Sequence, residues 1–198
     1  SLYNETDGLA IYPTPIIGVV GVIEDAERVV SRTFKQPGDE VVLLGNAHGE
    51  LGGSEYLKVI QGLVQGQPPD LDLGKERALI ALLTQAVASG LLLSAHDCSD
   101  VGLAVTLAEC TFDTGGIGVT ADLPREASLA AALFGESAAR AVVSVGAGNL
   151  QALLRLAREI GVPARVIGRT GGSRITMTVA GGPSIDSPVA DAEQVWTS

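Results

Sequence analysis

From Glu40 onward the sequence alternates between short apolar runs and stretches with helical periodicity, and such a chain buries both kinds of element by layering helices on a sheet. Glu40–Gly45 (EVVLLG) and Ala141–Val145 (AVVSV) are too short for helices and rich in valine, as strands are. Gln36-Pro37-Gly38-Asp39 is a turn leading straight into the first of them, and a domain boundary is placed there. Lys75–Ser89 carries Leu79, Leu82, Leu83, Ala86 and Val87 at three- and four-residue intervals, the spacing of an amphipathic helix, and Gly90 ends it. Ser54–Leu63 reads as a helix with Gly53 or Ser54 near its cap, followed by an irregular Pro- and Asp-rich loop over Gln65–Leu73. Further helices are expected over Leu103–Cys110, Ser128–Leu133 and Leu150–Ile160, and strands over Leu91–Ala95, Gly115–Thr120, Ala164–Arg169 and Arg174–Val179. The expected fold is α/β (or α+β): one layered domain over Gly38–Ser198 whose mixed sheet includes 40–44, 141–145 and 174–179, with Lys75–Ser89 packed across it.

The N-terminal stretch differs. Ile16–Ile23 (IIGVVGVI) is a β-branched run broken by glycine, consistent with a buried strand entered through Pro13, Thr14 and Pro15, and Asp25–Val30 has helix-compatible spacing. Nothing else near the start supplies partner strands, so the run is expected to expose apolar surface.

Composition narrows the function classes. With 46% hydrophobic residues, disorder is excluded. A formal charge of -10 repels phosphate backbones and anionic membranes, which argues against nucleic-acid and membrane partners. No apolar run approaches the ~20 residues that cross a bilayer. The start, Ser-Leu-Tyr-Asn, has no initiator Met, basic region or cleavage pattern, so it reads as a cut end without a secretion signal. Cys98 and Cys110 are too few for a disulfide framework and read as reduced thiols in a cytoplasmic protein. The triplet Asn4-Glu5-Thr6 matches a glycosylation sequon, a pattern that arises often by chance.

Three segments place polar and charged residues where packing does not ask for them. In Ser1–Pro15, Asn4, Glu5, Thr6 and Asp7 suit either a site or an Asx-rich turn. In Ser94–Gly102 (SAHDCSDVG), Asp97 and Asp100 could hold Mg²⁺ or cap the following helix, and two acids at one helix start favour capping over phosphate binding. His96 could be a general base but more often such a residue is a satisfied structural side chain, and Cys98 lacks the partners of a zinc site. In Leu133–Arg140 (LFGESAAR), Glu136 and Arg140 have the spacing of an ordinary helical ion pair. No Walker loop, dinucleotide fingerprint or Ser-His-Asp set is present, so the residues alone assign no catalytic group and no metal ligand.

Taken in order, SLYNET, YPTPIIGVVGVIED, GGSEYLK, QPPDLDL, SAHDCSDVGLAVTLAEC and LFGESAAR resemble the closing portion of phosphoribosylformylglycinamidine synthase, large or second subunit, over nearly the whole chain. The resemblance implies the aminoimidazole ribonucleotide synthetase superfamily, with residues 1–37 as the tail of the second N-terminal-type domain and 38–198 as the second C-terminal-type domain. It implies an ATP- and Mg²⁺-dependent ligase of purine biosynthesis that converts formylglycinamide ribonucleotide and glutamine-derived ammonia to the amidine. A glutaminase subunit and a small bridging subunit are the implied partners, together with the rest of the parent chain. In the family motif Gly-Asn-x-Ser-x-Tyr-Asn the first Gly and Asn fall before this sequence, while Ser1, Tyr3 and Asn4 stand in register, and the resemblance makes Ser1 the implied substrate-binding residue. The catalytic histidine and the Mg²⁺ ligands would lie before Ser1, so the fragment alone is expected to be inactive.

LFGESAAR matches the place of a Glu-Ser-Gln substrate segment, but Ala138 stands where the amide would be, which fits a domain facing a silent pseudo-symmetric site. Val101 likewise replaces a glycine in Ser-Asp-Gly-Gly, which narrows the backbone there and makes a phosphate approach harder. Competing readings are another superfamily enzyme (aminoimidazole ribonucleotide synthetase, selenophosphate synthetase or thiamine-phosphate kinase) and a silent scaffold domain. YPTP and LFGES argue against the former.

Overall fold

The computed structural model describes residues 5–10, 17–23, 25–46 and 48–198. At the start, β1 (Glu5–Thr6) and β2 (Leu9–Ala10) form a small hairpin. Asp7 and Gly8 turn it with φ of 52° and 76°, the pair of positive angles that an Asp-Gly hairpin turn supplies. The acid cluster of this segment is thus a turn wherever it is described.

Residues 17–23 form no strand, and their valines and isoleucines are exposed, Val20 at 97%. The expected buried strand is therefore corrected over these residues; Ile16 lies outside the described ones. A β-branched run stays extended and wet when no neighbouring strand offers hydrogen bonds. The expected helix at Asp25–Val30 shrinks to one 3-10 turn, Ala26–Arg28, capped by Asp25.

The remaining elements are β3 (Glu40–Leu44), α1 (Glu55–Gln61), α2 (Leu73–Ala88), β4 (Ser94–Asp97), α3 (Gly102–Glu109), β5 (Val119–Leu123), α4 (Leu129–Phe134), β6 (Ala141–Val145), α5 (Leu150–Ile160), β7 (Ala164–Thr170), β8 (Arg174–Val179), β9 (Gly182–Pro188) and α6 (Val189–Thr197). Seven strands form one mixed sheet in the order β4-β6-β3-β7-β5-β8-β9, antiparallel throughout except for the β5–β8 pair.

Alternation along β3 sorts the core into two layers. Val41 and Leu43 join Leu103, Leu107, Leu133 and Val142 on the face covered by α3, α4 and α6. Val42 and Leu44 join Leu79, Leu82, Ala86, Val143 and Leu153 on the face covered by α2 and α5. A strand buried on both faces needs an unbroken apolar run, which explains why β3 and β6 do not alternate with polar residues. The layered mixed α/β fold with α2 across the sheet is as expected. Phe34 also belongs to the core, and its N–H donates to Cys110 O at 2.8 Å.

Two strands are shifted from the expected ranges. β4 begins at Ser94, not Leu91, and runs through His96 and Asp97, because Ser94 to Asp97 pair with Ser144 to Ala141. The hydroxyls of Ser94 and Ser144 meet at 2.6 Å in the first of these pairs. β5 begins at Val119 because Gly115 and Gly116 turn with φ of 74° and 104°. β9 and α6 were not anticipated: Pro183 and Pro188 punctuate as turn residues, but β9 is an edge strand, where proline leaves no ladder bond unmade.

Candidate functional site

The second and third polar segments meet in one cleft. A cavity of ≈ 650 Å³ is lined by α2 residues Glu76, Leu79 and Ile80, by Ala95–Asp100 and by Glu136–Ala141. Ser1, the implied substrate residue, lies outside the described residues, as does most of its segment.

The wall of the cleft is set by a close backbone crossing. Gly102 has φ of 75°, and a Cβ there would come within 2.7 Å of Gly135 O and Phe134 C. The start of α3 is therefore pinned against the end of α4. Val101, just before it, takes φ of 60°, a left-handed conformation unfavourable for a β-branched side chain.

This corrects the capping expectation: Val101 occupies the cap position, and neither Asp97 nor Asp100 caps α3. Asp100 sits exposed in the cleft wall. Asp97 accepts from the Ser99 hydroxyl, and its carbonyl accepts from Thr106 Oγ1 at 3.3 Å.

The acceptor at this helix start is Glu136. Its Oε1 accepts from Val101 N–H at 3.0 Å and from Glu55 N–H, the first residue of α1, at 3.0 Å. A carboxylate facing two helix starts is favoured by their main-chain dipoles. The helical ion pair expected for Glu136 and Arg140 is corrected as well, because α4 ends at Phe134 and the following residues are not helical. Arg140 is 4% exposed, and its Nε and Nη2 donate to Ser137 O at 2.9 Å and Gly135 O at 2.6 Å.

The neighbouring groups are engaged in the same way. Ser137 Oγ accepts from His48 N–H at 3.1 Å. Glu76, a residue the sequence did not single out, reaches from α2 to accept from Ala139 N–H at 2.8 Å. Only the folded arrangement reveals it, since Glu76 and Ala139 are 63 positions apart.

His96 is held as a structural side chain. Its Nε2 lies 2.7 Å from Glu109 Oε2, a second partner without a sequence signal, and its Nδ1 lies 3.2 Å from Asp97 Oδ1. Cys98 is buried, which pushes its thiol up to about 11, and burial also raises the Cys110 thiol. Neither is a ready nucleophile at neutral pH.

Four carboxylates, Glu76, Asp97, Asp100 and Glu136, line the cleft, and its arginine is bound to main-chain carbonyls. Such a wall repels a bare phosphate group, and Glu136, Ser137 and His96 each hydrogen-bond within the protein.

A family model described as AIR synthase related protein, C-terminal domain, matches residues 36–180. The chain belongs to the AIR synthase related family. Curated relatives within it include phosphoribosylformylglycinamidine synthase subunit PurL of Moorella thermoacetica, 41% identical over 196 residues, which are 99% of this chain and 27% of that protein. The same subunit of Thermomicrobium roseum is 45% identical over 201 residues, 100% of this chain and 27% of that protein. The chain thus spans 27% of the length of these two AIR synthase related proteins.

Among solved structures, T. maritima PurL complexed with FGAR aligns with a TM-score of 0.72 at 19% identity, covering 85% of this chain and 30% of that one. T. maritima PurL complexed with ATP aligns at 0.68 with 19% identity, covering 85% and 28%. At that identity the AIR synthase related structures show a shared fold. Among the described residues, no helix is long and apolar enough to cross a membrane.

Proposed function

We propose that this chain is part of a longer cytoplasmic phosphoribosylformylglycinamidine synthase, an ATP-dependent ligase of purine biosynthesis, in which residues 38–198 serve as a catalytically silent domain. The observation that carries this reading is the near-complete alignment to PurL subunits, set beside a cleft whose carboxylates, serine and arginine are held by the fold itself. On this reading residues 38–198 form the second C-terminal-type domain and residues up to 37 the tail of the preceding one. The parent acts on formylglycinamide ribonucleotide with ATP, Mg²⁺ and ammonia drawn from glutamine by a glutaminase subunit, with a small subunit bridging the two. The relative named PurLQS from Thermotoga maritima, aligned at a TM-score of 0.65, supports an assembly of that kind.

The acid-lined cleft repels a triphosphate without its cation, and no phosphoryl step is assigned to it. The reactive site is placed elsewhere in the parent, with Ser1 contributing a hydroxyl that can donate to or accept from the substrate.

The test is a pair of substitutions in the full-length protein. Ser1→Ala removes a hydrogen bond worth about 1.5–3 kcal/mol if the substrate group is charged, a loss of ~10–150-fold in kcat/KM. Ser137→Ala leaves kcat/KM within about threefold, because its hydroxyl meets the His48 N–H and no substrate. A larger loss from Ser137→Ala would move the functional site into residues 38–198.

A further inference from the structure

The start of α1 has an unusual support. α1 buries none of its residues, and Val59 and Ile60 on it are 72% and 61% exposed. Its place therefore depends on a few contacts near its first turn. Ser54 caps it by accepting from Leu57 N–H at 3.3 Å, and the Tyr56 ring stacks on Phe134 at 5.0 Å. The third contact is Glu136, and it is made by the same oxygen that accepts from Val101 N–H. Glu136 itself is half-buried and lines the cleft.

We infer that Glu136 is a latch, a positioning residue through which the cleft holds α1 and the start of α3 in one fixed relation. The physical reason is that a single oxygen serves two main-chain donors 46 positions apart in sequence. Moving that oxygen away from one donor withdraws it from the other as well. The second release removes a support from Val101, whose φ of 60° is unfavourable for valine and would relax once unsupported. Whatever draws the Glu136 carboxylate into the cleft is therefore transmitted to α1 and to its apolar face. The other cleft contacts do not share this property: Glu76 holds Ala139, and Ser137 holds His48, each as a separate pair. The inference concerns the chain itself and stands whether or not the parent enzyme is the synthase proposed above.

Amide hydrogen exchange of the full 198-residue chain tests it, read at Glu55 and Val101, with Ala139 as the control. In Glu136→Ala, exchange at Glu55 and Val101 rises together by about tenfold or more, while Ala139, held by Glu76, stays within about twofold. Glu136→Gln keeps an acceptor oxygen in place and restores most of the protection, leaving exchange about two- to fivefold above the parent at both amides. Acceleration at only one of the two amides, or equal acceleration at all three, overturns the latch, as does a Glu136→Gln variant as fast as Glu136→Ala. Should Glu136→Ala fail to fold, Glu136→Asp carries the test. Its carboxylate is one methylene short of spanning both helix starts, so both amides accelerate together, and acceleration of only one, or full protection of both, would overturn the inference.

Discussion

Residues 17–23 (IGVVGVI) and β3 (EVVLL) are built from nearly the same apolar residues, yet Val20 is 97% exposed and Val42 is 0% exposed. The difference lies in their neighbours. β3 is hydrogen-bonded on both sides, to β6 and to β7, and covered on both faces by helices. Residues 17–23 meet no such partners in the described part of the chain. Strand propensity is a fit to a pleated, half-buried surface, so similar runs are core in one place and exposed in the other.

Charge insertion breaks this comparison most strongly. Val42→Asp puts a carboxylate into the buried layer between the sheet and α2 and α5 and should cost more than about 4 kcal/mol, enough to abolish the cooperative transition. Val20→Asp should change stability by less than about 0.5 kcal/mol. Urea or thermal unfolding followed by circular dichroism reads both, and a destabilising Val20→Asp would show that residues 17–23 pack in solution.

Glycine provides a second contrast. A Cβ at Gly18 or Gly21 meets nothing within 4 Å, whereas one at Gly102 strikes the main chain of Phe134 and Gly135. Gly102→Ala should cost about 2–4 kcal/mol through displacement of α3 and a left-handed φ that alanine resists. Gly18→Ala and Gly21→Ala should be neutral within about 0.5 kcal/mol. Equal midpoints for all three variants would sink the close crossing as the determinant of the cleft wall.

The smallest effect sharpens the comparison by pH. Asp122 on β5 accepts from Thr178 Oγ1 and from Gly181 N–H, and these two bonds lower its pKa from 3.8. A depressed carboxylate stabilises the fold above its unfolded value and loses that contribution as pH falls through the folded value. Asp122→Ala should therefore lower the melting temperature at pH 7 by a small amount, and the gap should close as pH drops below 3.8. A gap that widens in acid would contradict the sign. Residues 17–23 contain no acid and so add nothing to the acid limb.

Where an element is buried on two faces or strongly amphipathic, its residues specify it locally. β6 at Ala141–Val145, β8 at Arg174–Val179 and α5 at Leu150–Ile160 lie where the periodicity puts them, because burial selects the same side chains that propensity favours. β9 escaped notice since its prolines are tolerable only on an edge, and being an edge is a property of the sheet. The polar segments were visible as SAHDCSDVG and LFGESAAR, but not what they do. Asp97 and Asp100 look like caps by proximity in sequence, while the helix start is served by Glu136 from 35 positions away. The sequence by itself determined the layered α/β class, the helix across the sheet and the family resemblance, all of which rest on local periodicity and on short motifs in order. Only the tertiary structure decided that those motifs share one cleft, that Glu136 joins two helix starts and that residues 17–23 stay exposed. Hydrogen-bond partners and strand neighbours are chosen across long stretches of chain, where local periodicity carries no information.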